Sequence, residues 1–462
     1  MRGEREETKS HAGPAPLIDP FRPDRIAFRS AAGPMSQADL LARAERLAAH
    51  LPDCPLVANY CERRDCFTLA LLAAWMRGQT ALFPADRGAH TFSVLSADHS
   101  ALYVLTDSPL PFGTPRDVVI DLESLTGAAG SGALHRLDPS HAAAKVFTSG
   151  STGKPSVNEK SWGMLVAGGK SIPPMLSLDA LAAITVVATV PSQHMYGFET
   201  TIMNVLQGGA CAHVERPVYP ADIARCLAEA PAPRVLVTTP VHLRALVESK
   251  VALPEIARVI SATAPLSQEL AAAAEGRLGA EVWEIYGFTE AGSVGGRRTV
   301  STQSWAVRKD FTAREEDGRQ FLEWTAFGRR IPFPDVVQIL DASHIRLQGR
   351  AQDIVNIAGK RASLSGLTAQ MLEIEGVEDG VFWLPREDTG MGVVERLVAF
   401  AVAPGWTETA LRAVLQRRLD SAFVPRTIVF VEKLPRNATG KITERAMQDI
   451  AARHLAGDAS GN

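Results

Sequence analysis

Short apolar, β-rich runs alternate with helical stretches through most of this chain, and that alternation restricts the fold more than any other feature. Strand-like runs are expected at 56–60, 80–83, 102–105, 118–120, 145–148, 184–190, 210–214, 235–238, 259–261 and 282–285. Amphipathic patterns fall between them, as at 219–229 and 267–278, and Ser36 precedes a first helix with Leu40, Leu41, Ala44, Leu47 and Ala48 on one side. Runs apolar on both faces and separated by helices predict α/β layers with largely parallel sheets. Residues 300–346 break the pattern. Charge is dense there, and the alternation of Val336, Ile339, Ile345 and Leu347 predicts a β-meander. After Gly349 the pattern restarts as a compact α+β unit, with helices at 364–372, 408–419 and from Lys441, and strands at 381–384, 397–402 and 428–431.

The expected organisation is therefore a loose arm at 1–20, a large N-terminal domain with parallel or mixed sheets at 21–349, and a small α+β C-terminal domain at 350–462. A chain of 462 residues is long enough for that division. Hydrophobic residues at 46% and charged residues at 21% fit a folded globular protein. A net charge of -3 is the wrong electrostatic footprint for a nucleic-acid binder. No segment reaches the roughly 18 apolar residues of a membrane span. The start, MRGEREETK, leads into no apolar core, so no secretory signal is expected and the location is read as cytoplasmic. Cys54, Cys61, Cys66, Cys211 and Cys226 form no CxxC pair and read as reduced core thiols rather than a metal site.

The densest chemical signal follows the strand expected at 145–148. It runs Thr148, Ser149, Gly150, Ser151, Thr152, Gly153, Lys154, Pro155. Glycines allow tight turning and aim successive N–H groups inward, while the hydroxyls add donors, a combination that cradles phosphate. A Walker A loop does not fit, because only Ser151 and Thr152 separate Gly150 from Gly153 and Pro155 precedes Ser156. A nucleophile elbow does not fit either, because Ser149 occupies the first glycine position. A solvated linker remains open on composition alone.

This loop resembles the phosphate loop of the adenylate-forming superfamily: acyl- and aryl-CoA synthetases, carrier-protein ligases, peptide-synthetase adenylation domains and luciferases. The further motifs of that family follow in order. PSQHMYG at 191–197 resembles the PxxHxxG segment beside the acid pocket. SATAPL at 261–266 resembles the SGGAPL adenine segment, and YGFTE at 286–290 resembles YGxTE. Asp335 lies upstream of Arg350 where the family keeps a ribose-binding aspartate. GRAQDIV at 349–355 resembles GRxDDxIK, and LPRNATGKI at 434–442 resembles LPRTxSGKI. The segment IAGKRASL at 357–364 is similar to stand-alone aryl-acid ligases of aryl-polyene and xanthomonadin-type pigment clusters.

The resemblance implies an acyl-CoA synthetase-like fold and attack of a carboxylate on the α-phosphate of ATP. Pyrophosphate leaves, and a thiol of CoA or of a carrier protein's phosphopantetheine then displaces AMP. It implies that Lys441, a compact cation on a flexible stem, bridges the two anions. A surface lysine at a helix start is the alternative, although a cation there opposes the helix dipole. Glu290 is expected to hold Mg²⁺, Thr289 to bond the α-phosphate and Arg350 to bind ribose or phosphate. Thr148, Ser149, Gly150, Ser151, Thr152 and Gly153 are expected to cradle phosphate. Ala262, Thr263, Ala264, Tyr286 and Gly287 would border adenine, and Asp335 would accept from ribose. His194 and Gly197 would line the acid pocket. Core packing for Tyr286, a turn role for Asp335 and a satisfied core position for His194 stay open.

Three positions depart from the family pattern. Ser156 stands where a lysine is usual, so Lys154 or Lys160 would supply the charge, Lys160 being favoured. Ala262 and Thr263 replace glycines. Gln352 occupies the hinge position, usually Asp or Lys. The expected substrate is a small carboxylic acid of the hydroxybenzoate type, with a short- or medium-chain acyl-CoA synthetase, or a nucleotide-binding protein that has lost catalysis, as alternatives.

Overall fold

The computed structural model describes residues 13–84, 86–99, 101–126, 134–148, 156–350, 354–357, 360–385, 397–437, 440 and 442–455. It is a mixed α/β structure with two compact units. The first comprises residues 1–266, 270–312 and 323–331, and the second residues 267–269, 313–322 and 332–462.

Two sheets organise the first unit. One has the order Ser156–Ser161, Ala142–Thr148, Thr80–Phe83, Leu56–Asn59, Leu102–Thr106, Val118–Val119. Its four central strands are mutually parallel, and Ser156–Ser161 runs antiparallel at one edge. The other carries, within this unit, Trp305–Val307, Gly292–Arg298, Glu281–Phe288, Arg258–Ser261, Arg234–Thr238, Thr185–Ala188, Cys211–His213, Ile26–Ser30 and Gly33–Ser36. The strands from Glu281–Phe288 through Ile26–Ser30 are parallel to one another, as the doubly apolar runs predict. The main core fills this unit, with Trp75 and Trp162 packed at 5.0 Å between ring centroids.

Local chemistry explains the element ends. Ser36 caps the helix Gln37–Ala49 through a capping box with Asp39, whose carboxylate returns to the Ser36 backbone. The helix Arg64–Met76 is buried almost all round, which is why its sequence lacks a polar face. Its first residue, Arg64, is fully buried and donates to the carbonyls of Ala188, Val190, His213 and Glu215. That guanidinium therefore ties the helix to the ends of two strands of the larger sheet. The five cysteines are free and buried.

Several expectations are corrected. Part of the arm expected at 1–20 is anchored: Ala15–Pro16 pairs with Arg136–Leu137, and Leu17 and Ile18 are buried in the main core. Ser156–Ser161 is a strand that the polar sequence SVNEKS does not announce. The strand expected at 184–190 is confined to Thr185–Ala188, and the last helix starts at Glu444 rather than at Lys441.

The second unit contains the antiparallel hairpin Asp335–Asp341 with His344–Arg350 and the hairpin Ile354–Ile357 with Lys360–Ser363. A three-stranded sheet of Asp379–Trp383, Val398–Val402 and Thr427–Phe430 packs with the helices Leu364–Leu372 and Glu408–Arg418 around its own apolar core. The expected meander at 300–346 is present as short strands, among them Trp305–Val307 and Asp335–Asp341. No helix of the described residues is long and apolar enough to cross a membrane.

Candidate active site

The Gly/Ser/Thr loop is bracketed by two paired strands. Ala142–Thr148 leads in, Ser156–Ser161 leads out, and Thr148 is in register with Ser156. Ser149, Gly150, Ser151, Thr152, Gly153 and Lys154 lie outside the described residues, as do Gln352 and Lys441. Along the outgoing strand Val157 and Glu159 face solvent, and Lys160 turns inward, following the two-residue period of a strand. Lys160 is only 3% exposed, and its Nζ donates to the Glu290 carbonyl oxygen at 2.7 Å. Burial pushes the ammonium down to about 8, while the Glu199 and Glu290 carboxylates work in the opposite direction.

Glu290 sits in the turn between Glu281–Phe288 and Gly292–Arg298, which pair antiparallel. Thr289 is half-buried there, and the Glu290 side chain is exposed. A β carbon on Gly287 would come within 2.4 Å of the Gly292 carbonyl oxygen, so the two strands approach here as only glycine permits. Tyr286, just before this point, is buried with its ring 5.8 Å from Trp305 and 6.0 Å from Phe288.

Beneath the turn lies a buried polar frame that no sequence motif marks. The Glu199 carboxylate accepts from Ser293 N at 2.7 Å and from Ser293 Oγ at 2.6 Å. Arg308 donates to the Ser293 carbonyl at 3.0 Å and pairs with Asp310 at 2.6 Å. Glu199 lies in the helical turn that follows His194 and Gly197, so acid-pocket segment and turn share one support. A charged residue within an apolar run, as in FETTIM, was the available signal.

The segment of Ala262, Thr263 and Ala264 leaves the carboxyl end of Arg258–Ser261. Ala262 is buried and Ala264 exposed. Thr263 has φ +81°, the left-handed region that the family's glycine would occupy freely. The segment is held at Leu266, whose N–H donates to Glu284 at 2.9 Å, and Glu284 pairs with Arg297 at 2.7 Å. Arg297 in turn lies over the Trp305 ring at 4.4 Å, which joins the support of Tyr286 to that of Thr263.

His194 is half-buried and precedes the short helical segment Met195–Gly197. The Tyr196 hydroxyl lies 3.0 Å from the Thr238 carbonyl and 2.9 Å from that of Ile260, which fixes this segment over the carboxyl ends of two parallel strands. Ligand sites of open α/β sheets form at such ends. A β carbon on Gly197 would meet the Pro191 carbonyl oxygen at 2.1 Å, which explains the glycine. His242, absent from the motif reading, stands nearby with Nδ1 3.0 Å from Thr189 Oγ1 and 3.1 Å from Thr239 Oγ1, and burial pushes its pKa down.

In the second unit Asp335 and Arg350 lie directly opposite each other in the hairpin register. Arg436 clamps the stretch leading to Lys441: it pairs bidentately with Asp379 at 2.7 and 2.8 Å and donates to the Gly440 carbonyl at 2.7 Å. Among the described residues, His213, Glu215 and Glu229 have metal-ligating proximity, but Arg225 bonds both carboxylates and offsets one of their two charges.

The profile of the AMP-binding enzyme family matches residues 21–319, and that of the AMP-binding enzyme C-terminal domain matches residues 378–441. Tyrocidine synthase 3 of Brevibacillus parabrevis is 34% identical over 122 residues, 26% of this chain and 2% of that protein. A 4-coumarate–CoA ligase of Halorhodospira halophila is 29% identical over 319 residues, 64% of this chain and 73% of that protein. The first of these matches thus spans a small fraction of its relative. Among solved structures, O-succinylbenzoate coenzyme A synthetase from Bacillus subtilis in complex with ATP and magnesium ion superposes with TM-score 0.76 at 17% identity. That superposition covers 93% of this chain and 98% of the other.

Proposed function

The chain belongs to the AMP-binding enzyme family, and from that membership we propose that it is an ATP-dependent, AMP-forming acid–thiol ligase. The observation that carries this reading is that both family profiles match one chain in order, the second ending on Lys441. In this reading a carboxylate attacks the α-phosphate of ATP, pyrophosphate leaves, and a thiol then attacks the acyl carbon and expels AMP. Two anions meet in the first step, so fixed donors and positive charge lower its barrier.

Lys441 supplies the bridging cation, and the loop from Thr148 through Gly153 supplies backbone and hydroxyl donors. Tyr286, with the segment of Ala262, Thr263 and Ala264 and with Gly287, borders the adenine, while Asp335 and Arg350 take the ribose and phosphate. His194 and Gly197 border the acid. The exposed Glu290 carboxylate beside the half-buried Thr289 hydroxyl is a hard-oxygen donor set that fits magnesium. When bound, that ion would neutralise phosphate charge, with Glu290 holding it. The domains are read as a large one expected at 21–349 and a small one expected at 350–462, although the second compact unit already takes in residues 332–349. Gln352 is read as the hinge between the two half-reactions.

The acid is read as aryl, of the hydroxybenzoate type, and the acceptor as the phosphopantetheine thiol of CoA or of an acyl carrier protein. The aryl reading is supported by the relative named 4-coumarate–CoA ligase. ATP–pyrophosphate exchange with a panel of acids tests it. Exchange with 3- or 4-hydroxybenzoate is expected to exceed that with acetate or octanoate. A fatty-acid preference would replace the aryl reading, and no exchange with any acid would defeat the ligase reading. Thioester formation with CoA against a phosphopantetheinylated carrier then identifies the acceptor.

A further inference from the structure

Lys160 lies in a position unlike that of a phosphate-loop cation open to solvent. It is on the edge strand Ser156–Ser161 of one sheet, and its Nζ bonds the main chain of a turn that belongs to the other. Within that turn Ala291 N donates to the Phe288 carbonyl at 3.1 Å. The carbonyl of Glu290 finds its donor in Lys160, 130 residues away in sequence. The charges that act on the ammonium are the carboxylates of Glu199 and Glu290, which favour it, and the guanidinium groups of Arg308 and Arg329, which oppose it. Glu199 is engaged by Ser293 two residues beyond Ala291. Lys160 therefore holds the middle of the turn, and Glu199 holds the strand residue that follows it.

We propose that Lys160 is a positioning residue that fastens the turn of Thr289 and Glu290 to the strand leaving the Gly/Ser/Thr loop. It thereby sets the distance between the two phosphate-handling segments without contacting phosphate itself. A buried ammonium is costly to desolvate and is retained where its hydrogen bonds are specific. Here the bond is to a main-chain carbonyl, so it constrains the backbone that aims the Glu290 carboxylate rather than the carboxylate itself. Two segments that must both reach one triphosphate gain from such a tie, because misplacement by about 1 Å can cost on the order of a hundredfold in rate. The inference rests on the ligase reading above.

The test uses the full-length chain with Lys160→Met, and Lys160→Ala with and without added propylammonium. Calorimetry measures binding of ATP at increasing Mg²⁺ and of AMP without metal, and exchange kinetics follow Mg²⁺ dependence. Lys160→Met is expected to need at least about tenfold more Mg²⁺ for half-maximal ATP binding, with AMP affinity changed less than about twofold, since a tenfold shift corresponds to only about 1.4 kcal/mol at the displaced turn. Propylammonium is expected to restore part of the Mg²⁺ response in Lys160→Ala, which also serves if Lys160→Met fails to fold. Parallel loss of AMP and ATP affinity would mean a direct phosphate contact and overturn the proposal. An unchanged Mg²⁺ requirement, or no rescue of Lys160→Ala, would overturn it as well. Wild-type protein that binds no ATP at any Mg²⁺ level would defeat the ligase reading, whereas normal wild-type binding with unaltered variants defeats this inference alone.

Discussion

Glu284 and Arg297 form a buried ion pair at 2.7 Å, and the same carboxylate accepts from the Leu266 N–H at 2.9 Å. Burial pushes the Glu284 carboxyl up, and Arg297 opposes that shift. Breaking such a pair by removing one partner leaves an uncompensated buried charge. Arg297→Met is therefore expected to lower unfolding stability by about 3–5 kcal/mol. The double variant Glu284→Gln/Arg297→Met should lose less, because no bare charge remains. Urea unfolding of the three proteins checks this, and an Arg297→Met loss below about 1 kcal/mol would show that the carboxylate is satisfied without its partner.

Thr263 adopts φ +81° at the edge of the expected adenine segment. A β-branched residue held in that region stores about 1–3 kcal/mol, and glycine gives back roughly 0.5–1 kcal/mol through its freer unfolded chain. The strain is the larger effect. Thr263→Gly is expected to stabilise the protein by about 1 kcal/mol, read as a shift in urea midpoint at constant slope. A destabilised variant would show that the threonine's own contacts outweigh the strain.

Gly287 brings two strands together where a β carbon would lie 2.4 Å from the Gly292 carbonyl oxygen. A main-chain oxygen cannot rotate aside as a side chain can, so Gly287→Ala must open the hairpin and move Thr289 and Glu290. The expected result is a stability loss of about 1–3 kcal/mol and a fall in ATP–pyrophosphate exchange of at least about tenfold. Wild-type exchange in a folded Gly287→Ala protein would separate the turn from the chemistry.

Acid titration bears on Glu275. Its carboxylate bonds Arg298 at 2.7 and 3.0 Å and accepts from Val282 N at 2.9 Å, and these bonds, that to Arg298 foremost, hold its carboxyl below the usual 4.5. A depressed folded value means that the unfolded state binds more protons in this range. The stabilisation is thus complete above about 4.5 and lost as pH falls through the folded value. The stability difference between wild type and Glu275→Gln should shrink below pH 4.5 and stay constant between pH 6 and 8. A difference that stays flat down to acid unfolding would show that the bond contributes no proton linkage.

The motif segments were legible in the chain because their chemistry is local. YGFTE encodes a turn through Gly287 and the residues after it, the doubly apolar runs encode parallel strands, and Ser36 ahead of an apolar face encodes a helix start. Asp335 and Arg350 were legible only as two motif positions, assigned to different domains, and the hairpin register then set them opposite each other. Glu199, Arg308, His242 and Arg64 were not legible as partners. Each is a single polar residue, and single residues carry no periodicity.

Sequence alone determined the layer architecture, the order of the phosphate, acid-pocket and adenine segments, and the glycines that let backbones approach. Tertiary structure decided where Lys160 points, that Leu17 and Ile18 join the core instead of an arm, and that a polar edge strand leaves the Gly/Ser/Thr loop. The physical reason is range. Dihedral preference and apolar alternation act within a few residues, whereas the bond from Lys160 to Glu290 spans 130 residues and exists only after the two sheets have packed.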